Sequence, residues 1–324
     1  MTLNWFDRSH SQGRLELTDR DRLDLLHRMS ANDLASLQPG EGCSTALTTA
    51  LARIIDRLIV YHRGDVALLI ANYPSKVRSW LQKHIFFQDK VRLRDVSADL
   101  AQLELQGLHA SELIEALVPG ATISNLPLHH FVEGTFGGER LLIARTFPLA
   151  GEGFTLIVPN AALYTLKAAL QDHAAVERDD THYEELRIQA GLPGAGHELT
   201  EDYIPLEANL WDSVSFSKGC YIGQEIIARM ESRNRLARTL VSLRLNAPVP
   251  AGAALEGSEG QRGIVTSVAT IEDGTHVSVV GLGFVKPELA AVGAQFGVMV
   301  DGHSVGQAEI TPLALNTRRE EHPL

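Results

Sequence analysis

One short segment, from Lys218 to Glu225, gathers an unusual variety of chemistry. It reads Lys-Gly-Cys-Tyr-Ile-Gly-Gln-Glu and so brings an ammonium, a thiol, a phenol, an amide and a carboxylate close together along the chain. Glycine is used where a turn needs positive φ or where backbone must approach a ligand, and glycines lie on both sides of Cys220. The segment therefore predicts a bound partner at Cys220.

The residues from Gln224 onward predict a helix, with the run Gln-Glu-Ile-Ile-Ala-Arg-Met-Glu. A glycine-rich turn before this helix leaves free N–H groups at its start, which suit an anionic group or a thiolate. We therefore expect Cys220 to be more acidic and more reactive than a free cysteine.

Positive charge is concentrated around the same segment. The whole chain has a formal net charge of −11, which argues against a general nucleic-acid or anionic-membrane surface. A solvated helix face with a Glu225–Arg229 pair explains part of the local charge. Beside Cys220, an electropositive cleft for a carboxylate-bearing ligand is the favoured interpretation. Between residues 217 and 240 only Glu225 and Glu231 oppose the basic residues Lys218, Arg229, Arg233, Arg235 and Arg238.

Composition and length indicate a globular protein of two or three modules. The chain has 324 residues, of which 44% are hydrophobic and 21% charged. No apolar run approaches the roughly 20 residues of a membrane span, and the start of the chain lacks a signal-peptide pattern. We expect a cytoplasmic protein with neither nucleic-acid nor membrane partners.

Neither the cysteines nor the histidines have the spacing of a metal site. Cys43 and Cys220 lie far apart, which disfavours a disulfide framework or an all-protein zinc or iron–sulfur site. The 13 histidines, with His129 and His130 adjacent, show no recognised ligand spacing. We predict no resident metal.

The elements that must position these residues fall into three blocks, and the first two mix strands with lone helices, which indicates an α+β fold. Their boundaries lie near residues 100 and 240. In the first block we predict helices over 19–27 and 75–86 and strands over 53–61 and 65–71. In the second we predict a strand from Leu103, helices over 111–117 and 161–173, and strands over 140–145 and 154–158.

The third block differs in character, since short β-like runs separated by Gly, Pro and Asp turns are typical of a small β-barrel. We assign the barrel to residues 241–312 and expect a flexible tail over 313–324. The predicted barrel strands are 240–245, 263–270, 277–285 and 295–300.

The segment around Cys220 resembles the K-G-C-[FY]-x-G-Q-E signature of the YgfZ-like folate-binding proteins, which are relatives of the glycine-cleavage aminomethyltransferase (T-protein, GcvT). The match is complete over all eight positions, and the flanks over 205–210 and 229–238 agree. Residues 6–10, 54–60 and 151–154 are similar to further T-protein segments. The resemblance implies a clover-leaf of mixed α/β folate-binding subdomains around a central folate pocket, followed by a small C-terminal β-barrel.

The resemblance also implies roles for particular residues. Asp56 would be the folate-facing carboxylate, orienting tetrahydrofolate or managing a proton; a salt bridge at a strand end is the structural alternative. Lys218 would stabilise the Cys220 thiolate or hold a folate carboxylate, while a buried apolar thiol is the alternative for Cys220. Candidate catalytic residues are Cys220, Lys218 and Asp56; candidate cofactor-binding residues are Asp56, Asn72, Gln189, Lys218, Tyr221, Gln224 and Arg229.

Three departures from the T-protein pattern bear on the chemistry. Gln189 stands where T-proteins have a Glu that hydrogen-bonds the pterin, which alters the complementarity at that position. Arg57 replaces the second Asp of the family's Asp-Asp pair. The aminomethyltransferases have no thiol at the position of Cys220, so the resemblance favours the YgfZ-like branch.

These observations support three hypotheses of function. The leading one is a tetrahydrofolate-binding accessory protein that supports assembly or repair of iron–sulfur clusters in other enzymes, with client or assembly proteins as partners. The second is a folate-dependent aminomethyl or one-carbon transferase. The third is a non-catalytic binding module with a degenerate folate site. The presence of Gln189 in place of the family's Glu supports this hypothesis.

Overall fold

The computed structural model describes residues 2–233, 235–257, 260–272, 274 and 276–317, without the side chains of residues 261 and 262. The chain forms two compact units that alternate along the sequence. The first comprises Met1–Leu47, Ile55–Asp180 and Ser213–Ile222, and the second comprises Thr48–Ile54, Thr181–Asp212 and Gly223–Leu324.

The first unit is built on two sheets, one of six strands in the order β11-β1-β7-β10-β9-β8 and one of five in the order β3-β4-β5-β2-β6. In chain order the elements are β1 (Asn4–Asp7), β2 (Gly13–Thr18), α1 (Arg22–Met29), β3 (Gly42–Thr48), β4 (Ile54–His62), β5 (Val66–Ala71), α2 (Pro74–Lys83), β6 (Arg92–Asp95), β7 (Leu100–Gly107), α3 (Ala110–Leu117), β8 (Phe131–Phe136), β9 (Glu139–Arg145), β10 (Glu152–Pro159), α4 (Asn160–Asp172) and β11 (Val176–Arg178).

Each sheet has one face covered by helices. In the six-stranded sheet, Leu103 and Leu105 of β7 pack with Leu113 of α3 and Leu166 of α4 in one apolar core. In the five-stranded sheet, a second core joins residues of β2, β4 and β5 to α1 and α2, among them Leu15, Leu25, Val60, Leu69 and Val77. This burial follows from the two-residue alternation of side chains along a strand.

The two sheets also meet face to face within this unit. Leu68 and Ile70 of β5 pack against Leu142 of β9 and Ile157 of β10 in a third apolar cluster. Ile157 is paired in register with Gln102 of β7, and paired residues of antiparallel strands project from the same face of a sheet. The polar row formed by Gln102, Glu104 and Gln106, which are all buried, therefore lies on the face between the sheets.

The second unit contains a closed β-barrel with the strand order β12-β15-β14-β13-β16-β17. Tyr203, in the stretch before the barrel, stacks on Phe284 of β15 with ring centroids 3.7 Å apart. The elements are α5 (Asp180–Ala190), a 3₁₀ helix (Trp211–Ser213), α6 (Gln224–Ser232), β12 (Thr239–Leu245), β13 (Ala254–Gly257), β14 (Gly260–Glu272), β15 (Val277–Val285), a second 3₁₀ helix (Pro287–Leu289), β16 (Gln295–Val300) and β17 (His303–Thr311).

The α+β class and the C-terminal barrel are confirmed, and most predicted elements begin and end within a few residues of the observed ones. The sequence predicted neither α5 nor eight of the observed strands, which are β1, β2, β3, β6, β8, β11, β13 and β17. The proposed boundaries near 100 and 240 stay predictions. Of the expected tail, Leu313 packs on an apolar cluster and Leu315 donates its backbone N–H to Ala190, and residues 318–324 lie outside the described residues. Among the described helices, none has the length and apolarity to cross a membrane.

Candidate functional site

Asp56 lies on β4 and is completely buried. Its Oδ1 accepts hydrogen bonds from the side-chain amide of Asn72, at 2.8 Å, and from the backbone N–H of Arg57, also at 2.8 Å. Its Oδ2 accepts from the backbone N–H of Tyr73 at 2.9 Å. β4 and β5 are antiparallel neighbours, which brings the start of one strand to the end of the other. The carboxylate thus holds the turn between β5 and α2.

Burial raises the pKa of Asp56 above its ordinary value, while the hydrogen bonds from Asn72 and the neighbouring backbone act in the opposite direction. In the part of the chain that the structure describes, Asp56 has hydrogen-bond donors but no ion-pair partner. The three donors take the place of the salt bridge considered for this position.

A chain of side-chain amides extends from Asp56. Asn72 accepts from the Gln12 amide at 3.2 Å, and Gln12 accepts from the Gln102 amide at 2.7 Å. The side-chain oxygen of Gln102, Oε1, is buried and has no hydrogen-bond partner among the described residues. The chain therefore ends in a free acceptor on the face between the sheets, where a buried polar atom without a partner is costly. Sequence reasoning missed Gln12 and Gln102.

A second polar group surrounds Phe147. The guanidinium carbon of Arg57 lies 5.4 Å from the centre of the Phe147 ring, and the His129 ring meets Phe147 edge-on with centroids 5.3 Å apart. Both ring nitrogens of His129 are buried and find no hydrogen-bond partner in the described part of the chain, and its φ is +64°. Burial, assisted by the charge of Arg57, lowers the pKa of His129 to about 3. The imidazole is therefore neutral at physiological pH.

Lys218 is tied to the backbone of the region around the end of α1. Its Nζ donates to the carbonyls of Ser30 and Asn32, each at 2.8 Å, and to the carbonyl of His27. It also lies 5.3 Å from the centre of the Tyr221 ring. An ammonium has three N–H donors, so these carbonyls occupy all of them.

Burial lowers the pKa of Lys218 to about 8, with Asp33 and then Cys43 opposing the shift. The thiol that affects this lysine is thus Cys43. Lys218 therefore remains charged at neutral pH while its donors stay directed at the three carbonyls.

The two glycines beside Cys220 differ in what the protein requires of them. Gly223 has φ +89°, and a Cβ there would lie 2.9 Å from Thr48 Oγ1 and 2.9 Å from the Thr49 carbonyl. Gly219 has open space around its Cβ position and no positive φ. Cys220 itself is exposed. Packing within the chain therefore explains the glycine at 223 but not the one at 219.

Three of the predicted site residues belong to the second unit. Gln189 is exposed near the end of α5, Gln224 is half-buried at the first position of α6, and Arg229 is exposed in its last turn. No ion pair joins Arg229 to Glu225, although the structure describes both side chains. Within the first unit, the structure brings together Asp56 with Asn72 and Lys218 with Tyr221.

The last basic residue of the stretch between 217 and 240, Arg238, lies at a cleft on the barrel. Arg238 and Lys286 line a cavity of about 340 Å³ together with residues of β14 and β15. The Arg238 guanidinium also lies 5.4 Å from the Tyr203 ring centre. Among the described residues, no three His, Cys, Asp or Glu side chains cluster as metal ligands would.

Comparison with known proteins agrees with this architecture. A chloroplastic protein of Arabidopsis thaliana, whose name suggests a transferase, is 32% identical over 292 residues, which is 89% of this chain but 66% of that protein. The aminomethyltransferase of Geobacillus kaustophilus is 29% identical over 97% of this chain and 87% of its own length. The aminomethyltransferase of Halalkalibacterium halodurans is 31% identical over 248 residues, which is 74% of this chain and 67% of that protein.

A solved structure shows the same fold. The glycine cleavage system aminomethyltransferase T of Bartonella henselae superposes with a TM-score of 0.81 over 98% of this chain and 87% of that chain, at 21% sequence identity. Residues 3–218 match the family described as the GCVT N-terminal domain. Since this match covers more than half of the sequence, the chain belongs to the GCVT N-terminal domain family.

Proposed function

We propose that this protein binds tetrahydrofolate and acts, as a YgfZ-like member of its family, in support of iron–sulfur cluster assembly or repair in other enzymes. One observation carries the preference for binding over transfer: the carboxylate of Asp56 is completely buried under three hydrogen bonds, and the next residue is the cation Arg57 rather than a second acid. A general base must reach the proton that it abstracts. A carboxylate held in this way is better suited to fixing the site than to proton transfer.

We assign the pterin ring to the polar layer between the two sheets. A pterin ring presents several N–H donors and ring acceptors along one edge, and buried ring binding needs partners for each of them. Gln102 Oε1 is a buried acceptor that has no partner in the residues the structure describes, and the neutral imidazole of His129 offers one donor and one acceptor. Gln102 Oε1 and the second lone pair of Asn72 Oδ1 would accept from the ring edge, with Asp56 orienting Asn72.

Tetrahydrofolate, when bound, would supply nucleophilic N5 and N10 atoms. We further assign folate contacts to Gln189, Gln224, Arg229 and Tyr221, as the family resemblance implies. The excess of basic residues between 217 and 240 suits the carboxylates of the glutamate tail.

Cys220 is the group that we assign to the accessory function. Its thiol is exposed on a turn beside Gly219, whose Cβ position faces open space. A partner chain therefore has access to the sulfur. We expect the client to be an iron–sulfur enzyme or assembly protein in the cytoplasm, with Cys220 acting after folate has bound.

A folate-dependent aminomethyl or one-carbon transferase is the second candidate. It is favoured by the names of the bacterial relatives, which are aminomethyltransferases at 29–31% identity. Turnover of tetrahydrofolate to its methylene form with a lipoyl-protein donor would support this candidate. If the protein binds tetrahydrofolate but shows no such turnover, the accessory role is supported.

Calorimetric titration with tetrahydrofolate tests the proposal. We expect the wild-type protein and Cys220→Ala to bind alike, and Asp56→Asn to bind at least tenfold more weakly. Asp65→Asn, an exposed carboxylate in the turn after β4, is the matched control and should bind normally. Absence of binding to any folate would refute the proposal and favour the binding module with a degenerate site.

Complementation tests the accessory role separately. In a host that lacks its own copy, wild-type protein and Cys43→Ala should restore the activity of iron–sulfur enzymes, and Cys220→Ala should not. Cys43 is the appropriate control because it is the other cysteine of the chain. Full rescue by Cys220→Ala would remove the thiol from the mechanism.

A further inference from the structure

The lysine of the Cys220 segment makes its contacts far away in sequence. Its ammonium reaches carbonyls 186 to 191 residues earlier in the chain, at His27, Ser30 and Asn32. His27 lies in the last turn of α1 and Ser30 is its C-cap. The last carbonyls of a helix have no partner within the helix, and a cation is stabilised there by the helix dipole. Lys218 therefore caps α1 from a distant segment.

Further contacts join the same two parts of the chain. The backbone N–H of Ser215 donates to the carbonyl of Ala31 at 3.0 Å. The hydroxyls of Ser213 and Ser44 lie 2.6 Å apart, both buried. Ala31 is in turn held by the carbonyl of Ala46 on β3. The residues before Cys220 are thus fixed to the region that follows α1 by a backbone hydrogen bond and a buried side-chain pair, in addition to the ammonium.

The number of N–H donors on the Lys218 ammonium determines whether it can bind a ligand carboxylate or the Cys220 thiolate in addition to the backbone carbonyls. Three carbonyls use its three N–H groups, and the remaining approach is covered by the Tyr221 ring at 5.3 Å. An ammonium engaged in this way has no donor left for a ligand carboxylate or for the Cys220 sulfur. Binding either of them would require the loss of a charge-assisted hydrogen bond inside a half-buried site.

We propose that Lys218 is a positioning residue: its ammonium clamps the turn that carries Cys220 and Tyr221 onto the C-terminal end of α1, and does not itself bind folate or the Cys220 thiolate. Cys220 is then presented at the surface by a fixed turn, while Tyr221 packs over the clamp. The inference rests on the proposed function only in that Cys220 is taken as the group to be positioned.

Hydrogen exchange and thiol alkylation test the clamp without any folate. Both are measured in a Cys43→Ala background, which leaves Cys220 as the single thiol. We expect Lys218→Met to raise amide exchange at Ala31, Asn32 and Ser215 at least tenfold. It should also raise the plateau rate of Cys220 alkylation by iodoacetamide several-fold, while the midpoint of the pH–rate profile stays where it is.

A matched lysine serves as the control. Lys83 is exposed at the end of α2, and Lys83→Met should change neither readout. Lys218→Arg should restore part of the protection, because a planar guanidinium cannot direct its donors at three carbonyls in the way that a tetrahedral ammonium does. A midpoint that moves up by a pH unit or more in Lys218→Met would show direct support of the thiolate and overturn the clamp, as would unchanged exchange.

The wild-type protein provides a test that no folding defect can obscure. Reductive methylation with formaldehyde at pH 7.5 labels accessible lysines, and the products can be assigned by peptide mapping. We expect Lys218 to react at least tenfold more slowly than Lys83. Equal rates would refute the clamp, whereas a failure of the folate titration would leave this result standing and reject only the proposed cofactor.

Discussion

The side-chain amide of Asn72 donates to the carboxylate of Asp56 at 2.8 Å, and the next residue, Tyr73, donates its backbone N–H to the other oxygen of the same carboxylate. Tyr73 is the N-cap of α2 and Pro74 is the first residue of that helix. A single buried carboxylate therefore sets where β5 ends, where α2 begins, and how the Asn72 amide is oriented toward Gln12.

Replacing Asp56 by Asn should destabilise the first unit. Each carboxylate oxygen now accepts from an N–H group, so an amide at this position directs its own NH₂ at a donor whichever way it is turned. Leaving such groups unmatched in a buried site costs about 1–3 kcal/mol. The free energy of unfolding in urea measures this loss. Asp65→Asn should stay within about 0.5 kcal/mol of wild type, and an equal loss in both variants would contradict the assignment.

Part of this site could be predicted from the sequence. Asp56 and Asn72 flank the two apolar runs that become β4 and β5, so their proximity follows from a hairpin. Gln102 was harder to recognise. The alternation over Leu103-Glu-Leu105-Gln indicates a strand with a polar face, but a polar face ordinarily meets solvent. It is buried here because a second sheet packs on it, and no local pattern encodes that contact.

Neither the role of Lys218 nor the helix α5 could be predicted from the sequence, and the physical reasons differ. The partners of Lys218 are backbone carbonyls, which every residue possesses, so residue types near α1 carry no signal for the contact. In α5, the buried face contains Tyr183, Arg187 and Ile188. A buried arginine interrupts the apolar periodicity by which an amphipathic helix is recognised.

The two glycines beside Cys220 should respond differently to alanine. Gly223→Ala forces an L-residue into φ +89° and brings its Cβ to 2.9 Å from Thr48 and Thr49. The backbone term alone costs about 1–2 kcal/mol, and we expect a loss of at least that size in urea unfolding. Gly219→Ala has open space and should be tolerated in stability. If Gly219→Ala nevertheless abolishes complementation, a partner approaches the backbone there; equal destabilisation by both would contradict the observed turn.

His129 should make stability depend on pH below neutrality. The pKa of the imidazole falls from 6.5 in the unfolded chain to about 3 in the folded protein, because of its burial and then the charge of Arg57. Between these values the unfolded state binds the proton and the folded state does not. The contribution of the neutral His129 imidazole to the free energy of unfolding is therefore fully present above pH 6.5. It is lost as the pH falls toward 3, at about 1.4 kcal/mol per pH unit.

His129→Asn isolates this effect, because Asn also tolerates the left-handed backbone conformation and has no titrating group. Between pH 7.5 and pH 5, the free energy of unfolding should fall by about 2 kcal/mol more in wild type than in His129→Asn. His130→Asn changes the adjacent histidine and should keep the wild-type dependence. Parallel pH profiles for all three proteins would exclude a buried neutral imidazole at 129.

The second unit should depend on the buried pair of Arg187 and Glu198, which are 3% and 0% exposed at the side chain. Glu198 also accepts from the Gly194 N–H at 2.8 Å and from the Ser267 hydroxyl at 2.7 Å. Removing one partner of a buried ion pair typically costs about 3–5 kcal/mol, because the remaining charge is left without compensation. We expect a loss of this order for Glu198→Gln in urea unfolding.

Glu184 provides the matched comparison, since it pairs with the same guanidinium at 2.6 Å but its side chain is 42% exposed. Solvent screens such a pair, and Glu184→Gln should cost less than about 1 kcal/mol. The ratio of the two losses tests whether burial, rather than the presence of a salt bridge, determines the contribution. Similar losses for Glu184→Gln and Glu198→Gln would mean that solvent reaches both carboxylates, contrary to the enclosure of Arg187 between α5 and the Gly194 backbone, where a Cβ on Gly194 would come within 2.6 Å of the guanidinium carbon.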